Sequence, residues 1–439
     1  MPLDTPIAES LRRLDSLVSP YVGVVRGVED VLASPDDVRL PNVFCETGYA
    51  WGLVGGDGKH VGGGSAPSRD AARAAALGEA VERYSACFSD GCAVVATADE
   101  LGERAVDPSR FALFCDEQHA TPGFPYQRFT RDTRIAWITG WALPDGGPAY
   151  LPSQLVHLAW PRRGREPRIG RSTSNGLACR PTFEEAVATG LLEVMERDAF
   201  MITWGARLSL PRLTWAGNDE LEAFERRYLA PTGLRWSALD LSAFWDVPCA
   251  LAVARSDLPA EAPLGVGAAA APTIERAIVK ALDEAVRVRS WARALRARDP
   301  DGADIRPPAA IREFDDHIRY YAYAENAQRA AFLDATSQTR DVGDVRPLGA
   351  GSAPAVRALC NRLHARGVSA YAVDLTAPDV RDAGLRVAKV VAPELCALDV
   401  EHAARFLGGR RRYDEPFRVG LCDRSLSYED INPDPHPFP

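Results

Sequence analysis

Three stretches of the chain repeat one pattern, so any fold it adopts has to accommodate three equivalent helices. They are PSRDAARAAALGE from Pro67 to Glu79, PTFEEAVATGLLE from Pro181 to Glu193, and PTIERAIVKALDE from Pro272 to Glu284. Aligned on the final glutamate, they share a Pro, a Ser/Thr, an acid, an Ala, an Ala or Gly, a Leu and the Glu. Each opens as a helix should. Ser68, Thr182 and Thr273 are natural N-caps behind a proline, and Asp70, Glu184 and Glu275 place negative charge in the first turn, where the helix dipole favours it. The copies are spaced 114 and then 91 residues apart, too far for a solenoid, so they are expected to converge within one unit.

The helix starts leave the far ends unexplained. The first copy continues EAVERY and the second EVMERD, which makes Glu79/Glu82 and Glu193/Glu196 i, i+3 pairs followed by Arg83 and Arg197. The third continues EAVRVR, keeping Glu284 but offering Arg287 and Arg289. At about 100° per residue each acid pair shares one face. Ala72, Ala75 and Ala86 lie on the same stripe, and Ala186 and Thr189 hold the matching places in the second helix, so a ligand is expected to approach closely there.

A single E-x-x-E-R string is common on solvated helices. Two in register, on helices otherwise as apolar as AAALGEAV and AVATGLLEVM, favour a site. Carboxylates about 6 Å apart repel by roughly 3 kcal/mol at an effective dielectric near 20. A hard divalent cation shared with substrate phosphates answers that repulsion, with the arginines facing the phosphates.

The net charge of −9, with no Lys/Arg run, argues against a nucleic-acid grip. No stretch is apolar enough for a signal core or a membrane span, and the expected compartment is the cytoplasm. The nine cysteines contain no C-x-x-C pair, so reduced thiols are expected rather than structural zinc.

Ahead of the first repeat, VGGDGKHVGGGSA lacks the P-loop spacing and reads equally as a hairpin turn or a nucleotide-covering loop. Strands are expected from Arg134, Ala149, Leu234 and Val247, and GRSTSNGLA reads as a polar turn into the second repeat. A polar loop follows the third repeat, and the chain then closes on a β-α-β-like ending. Alternating helices and short strands indicate a mixed α/β (α+β) architecture without a dinucleotide fingerprint. The last residues, INPDPHPFP, place proline at every second position from 433 to 439, which enforces an extended segment. Such a tail either frays or delivers its terminal carboxylate, on Pro439, to a fixed place.

Together ALGEAVERY, SNGLA with EEAVATGLLEVMERDA, ALDEAVRVR, VDLTAPDV and the terminal PHPFP resemble the YcaO-domain family over nearly the whole chain. The resemblance implies one YcaO domain over 1–439, with repeated helices converging on an ATP site and no fused E1-like domain. It implies Glu79, Glu82, Glu193 and Glu196 as ligands of Mg²⁺ and the ATP phosphates. Arg83, Arg197, Arg287 and Arg289 would line the phosphates and Glu185 would hold the nucleotide. Ser68, Ser174, Asn175 and Glu284 complete the expected nucleotide-binding set. Two departures are Pro181, where many relatives carry a small polar residue, and the absence of a lysine near the register of Ser65.

The proline ladder is similar to that of azoline-forming cyclodehydratases of thiazole/oxazole-modified peptides. There a Cys, Ser or Thr of a ribosomal precursor peptide attacks the preceding carbonyl, the oxyanion takes the γ-phosphoryl of ATP, and phosphate leaves with the amide oxygen. Thioamide or amidine formation is the related alternative, and a non-catalytic partner that binds nucleotide or leader peptide is a third. The resemblance implies a separate E1-like or ThiF-like leader-binding partner and allows a homodimer. The Pro439 carboxylate is the candidate catalytic base, with His436 behind it.

Overall fold

A computed structural model describes residues 5–33, 37–48, 61–88, 92–144, 146–160, 166–258, 262–298 and 308–438. Each repeat in it is a strand followed by its helix. Strand β3 (Val61–Ser65) leads into α2 (Arg69–Cys87), β7 (Leu177–Arg180) into α3 (Phe183–Gly205), and β11 (Leu264–Ala270) into α4 (Ile274–Ala297). An earlier helix, α1 (Ile7–Asp15), packs on α2. The three expected caps are present: the hydroxyls of Ser68, Thr182 and Thr273 accept from the amides of Ala71, Glu185 and Arg276.

Each repeat strand ends a different sheet. The first sheet runs β1 (Val25–Asp30), β2 (Asn42–Thr47), β3. The second contains β4 (Val94–Ala96), β5 (Ile135–Ala142), β13 (Tyr371–Asp374), β14 (Arg386–Val391) and β7 in that order, with β6 (Pro148–Pro152) also on β5. The third runs β11, β10 (Cys249–Arg255), β9 (Arg235–Asp240), β8 (Arg212–Thr214), β12 (Thr339–Asp341). Three open edges therefore belong to the three repeats.

Small residues let each strand lie close on its helix. A Cβ on Gly62 would stand 2.2 Å from the Ala76 carbonyl, and one on Gly267 2.3 Å from that of Ala281. Gly176, in the same register of the second repeat, has φ +80° and passes beside Gly190. Ala72 and Ala86 are fully buried in this packing, whereas Ala75 stays exposed. Ala186 is buried as well and Thr189 is half-buried, so most of the small-residue stripe is taken up by packing and Ala75 is its exposed member.

Helix α3 is the central element. Met195, Phe200 and Trp204 are buried in a core that includes Leu251, Val266, Leu359, Val390 and Phe438, and α5 (Ser352–His364) packs along it. The four expected strands appear as β5, β6, β9 and β10. Strands β7 and β11 do not announce themselves, because LACR is short and LGVGAAA is rich in Gly and Ala, which suit a strand poorly unless something packs closely on it. The ending is also different: β13 and β14 pair antiparallel, residues 375–385 being too short for a parallel crossover, which takes about a dozen or more.

The proline tail does not fray. Trp204 Nε1 donates to the Asp434 carbonyl at 3.0 Å, Asn432 N to the Gly205 carbonyl at 2.8 Å, and Arg329 pairs with Asp434 at 2.7 Å. The ring of His436, within the tail, stacks on that of His317 with centroids 4.1 Å apart. Pro439 and the glycine loop up to His60 lie outside the described residues.

Candidate functional site

The three edges and three helices close on one another in cyclic order, through side chains that fill edge hydrogen-bonding groups. In the first and third repeats the leading glutamate takes an amide of its own strand: Gly63 N donates to Glu79 at 2.6 Å and Ala268 N to Glu284 at 2.9 Å. The residue three places later reaches the next strand instead. Cys179 N donates to Glu82 at 2.7 Å, Ala270 N donates to Glu196 at 2.6 Å, and Arg287 donates to the Gly63 carbonyl at 2.5 Å. Arg287 bonds a carbonyl where an acid would need an amide, so its substitution for the second acid closes the ring.

Glu193 breaks the pattern. The amide that its register calls for belongs to Leu177, and that amide donates to the Ser174 carbonyl at 2.8 Å. The SNG turn has diverted it. Among the described residues Glu193 accepts no hydrogen bond, its nearest cation is Arg197 at 4.0 Å, and its side chain is 23% exposed. It is the carboxylate most available to a bound cation.

Arg197 stands amid the acids, 2.6 Å from Glu196 and 3.7 Å from Glu284. Its guanidinium lies 4.3 Å over the Phe438 ring, so the tail supplies one wall of the site. Its Nε and Nη1 are buried without an aligned acceptor. Arg83 bonds Glu79 at 2.8 Å and the Val61 carbonyl at 2.6 Å. On β14, sequence reasoning passed over Lys389, whose ammonium donates to the carbonyls of Thr173 at 2.6 Å and Asn175 at 2.7 Å. A lone lysine inside RVAKVV carries no motif, and only the pairing of β14 with β7 brings it to the ring.

The charges show a shortage of cation. Burial pushes the Glu82 carboxyl up to about 8, against the Cys179 amide, with Glu193 adding to the rise. Burial likewise raises Glu196 to about 7, with Arg197 opposing and Glu284 reinforcing. Glu193 is raised by burial too, against Arg197 and Lys389. Glu79 alone falls: burial would raise it, but Arg83, Arg287 and the Gly63 amide prevail. Burial lowers Lys389 to about 8. Among the described residues no three His, Cys, Asp or Glu side chains gather closely enough to enclose a metal by themselves. Separated carboxylate pairs in which Glu82, Glu193 and Glu196 are raised, flanked by guanidiniums, fit Mg²⁺ held jointly with phosphate oxygens.

Other expected site residues lie apart from this ring. Arg289 is fully buried, bonding the Ala262 carbonyl at 3.1 Å and pairing with Asp37 at 3.0 Å. Ser68 is exposed at its cap. Glu185 is buried in its capping box with Thr182 and accepts the Thr5 amide at 2.7 Å. Asn175 reaches the ring through its carbonyl on Lys389. His436 is not free to act as a base, because Nε2 faces the Asp399 carbonyl at 2.7 Å and Nδ1 accepts from Phe438 N at 3.3 Å. No described helix is long and apolar enough to cross a membrane.

Comparison with known proteins agrees with this geometry. The family model described as YcaO cyclodehydratase, ATP- and Mg²⁺-binding, matches residues 63–396. An uncharacterised protein of Methanothermobacter thermautotrophicus is 30% identical over 240 residues, covering 52% of this chain and 56% of that protein. Among solved structures, a heterocyclase in complex with substrate and cofactor matches 99% of this chain and 57% of its own, at 26% identity and a TM-score of 0.79. YcaO from Methanopyrus kandleri, bound with AMPPCP and Mg²⁺, shares the fold at 21% identity and a TM-score of 0.63, over 89% of this chain and 91% of its own. This chain thus spans a little over half the length of the first two relatives. It belongs to the YcaO family, and its cofactors, by that family's description, are ATP and Mg²⁺.

Proposed function

From YcaO membership and the charge ring together, we propose that this chain is an ATP-dependent cyclodehydratase that converts Cys, Ser or Thr of a ribosomal precursor peptide to thiazoline or oxazoline. The observation that carries the reading is Glu193, left without a hydrogen-bond donor in the middle of a ring whose other acids are engaged. In this reading Glu79, Glu82, Glu193 and Glu196 hold Mg²⁺, and Arg83, Arg197 and Arg287 face the phosphates. Bound ATP supplies the phosphoryl group with which the amide oxygen departs. The chain itself supplies position and charge, as phosphoryl transfer requires.

Arg197, whose Nε has no acceptor among the described residues, is suited to the developing amide oxyanion. The candidate acceptor of the nucleophile's proton is the Pro439 carboxylate, which lies outside the described residues. Ser68, Glu185 and Arg289 support the nucleotide site from outside the ring. A separate E1-like protein delivers the leader peptide. Mass spectrometry of a precursor peptide incubated with the chain, that partner and Mg-ATP tests the reading. Loss of one water at a Cys, Ser or Thr is expected, while exchange of oxygen for sulfur would show thioamidation instead.

A further inference from the structure

A cleft lies where α3, the 171–175 segment and the chain following β14 meet, and Arg197 and Lys389 of the ring are part of its lining. Its apolar wall includes Leu155, Val194, Leu395 and Phe406. Its polar end holds Arg171, Asn175, Arg197 and Lys389, and among the described residues no aspartate or glutamate lines it. Asn175 is only 8% exposed, yet among the described residues its side-chain amide nitrogen has no acceptor, and the same holds for Nε of Arg197. Each buried donor left unfilled costs about 1–3 kcal/mol. A ligand that fits therefore brings carbonyl oxygens to one end and an apolar group to the other, which is the chemistry of an acylated amino-acid residue within a peptide.

We propose that this cleft binds the residue preceding the reacting Cys, Ser or Thr of the peptide acceptor. Its apolar side chain lies against Leu155, Val194, Leu395 and Phe406, and its carbonyl oxygen faces Asn175 and Arg197. The inference rests on the peptide-amide reading above and adds a selectivity to it: an apolar residue is preferred before the modified position, and lysine is disfavoured by the three cations.

The test is photo-crosslinking of the intact chain, with Mg²⁺ and AMPPCP present, to a short acetylated peptide carrying photoleucine immediately before cysteine. Label is expected on the segments bearing Leu155, Val194, Leu395 or Phe406. Ala397 also lines the cleft and is half-buried. Ala397→Trp should fill it and cut labelling about tenfold, equivalent to about 1.4 kcal/mol, without changing AMPPCP affinity, and Ala397→Ser should label as the unsubstituted chain does. Label confined to other segments would overturn the cleft assignment and leave the peptide reading standing. No label anywhere, with AMPPCP still bound, would overturn both. Labelling of the same segments by 8-azido-ATP would make the cleft a nucleoside pocket and equally overturn the inference.

Discussion

Phe438 shows how one side chain ties a distant part of the chain to the chemistry. Its ring lies under the Arg197 guanidinium and 4.7 Å from that of Phe200, so the tail and α3 share one contact. Phe438→Leu keeps the apolar volume and removes the quadrupole, and should lower peptide-dependent ATP turnover about tenfold, corresponding to about 1.4 kcal/mol. Phe438→Tyr should retain turnover, and the comparison of the two in a steady-state assay checks the role. The acid pairs were legible at this scale because i, i+3 spacing repeats in register. The partners of Phe438 and Lys389 were not, since a stacking contact and a strand pairing are made across hundreds of residues and leave no local spacing.

At the scale of elements, the repeat is a strand plus a helix, held close by a glycine in a fixed register. Gly62→Ala would drive a methyl into the Ala76 carbonyl and should cost about 3 kcal/mol in unfolding free energy, read from chemical denaturation, whereas Ala75→Ser, exposed on the same helix, should be nearly neutral. The helices and their caps were plain in the sequence, because Pro, Ser/Thr and acid each mark a start for a separate physical reason. Their strands were not, because glycine and alanine read as turn or helix until a helix is packed against them. The edges these strands leave open are an aggregation hazard in most sheets. Here glutamates and Arg287 occupy them, so protection of the edge and assembly of the site are one arrangement.

For the whole molecule, convergence of the repeats followed from their spacing, but the cyclic order did not, since it depends on which edge each second residue reaches. The tail is the other long-range device, and its anchorage should respond to pH. Burial pushes His402 down to about 3 and depresses His317 and His436 as well, so all three fold as neutral rings. The stability they contribute is present above the ordinary histidine value of 6.5 and is lost as pH falls through that value toward about 3. Between pH 7.5 and 5 this loss opposes the gain from the raised Glu82 and Glu196 carboxyls, so the melting temperature of His402→Gln should fall less, or rise more, across that range than that of the unsubstituted chain.

The central claim is that the ring is a Mg-ATP site opened by Glu193, which accepts no hydrogen bond among the described residues. Calorimetric titration of the intact chain with AMPPCP, with Mg²⁺ or with a chelator, tests it most directly. The account predicts binding that requires Mg²⁺ and that weakens about tenfold or more in Glu193→Gln, with the melting temperature of the free chain unchanged or raised. Equal affinity without Mg²⁺, or in Glu193→Gln, would contradict it.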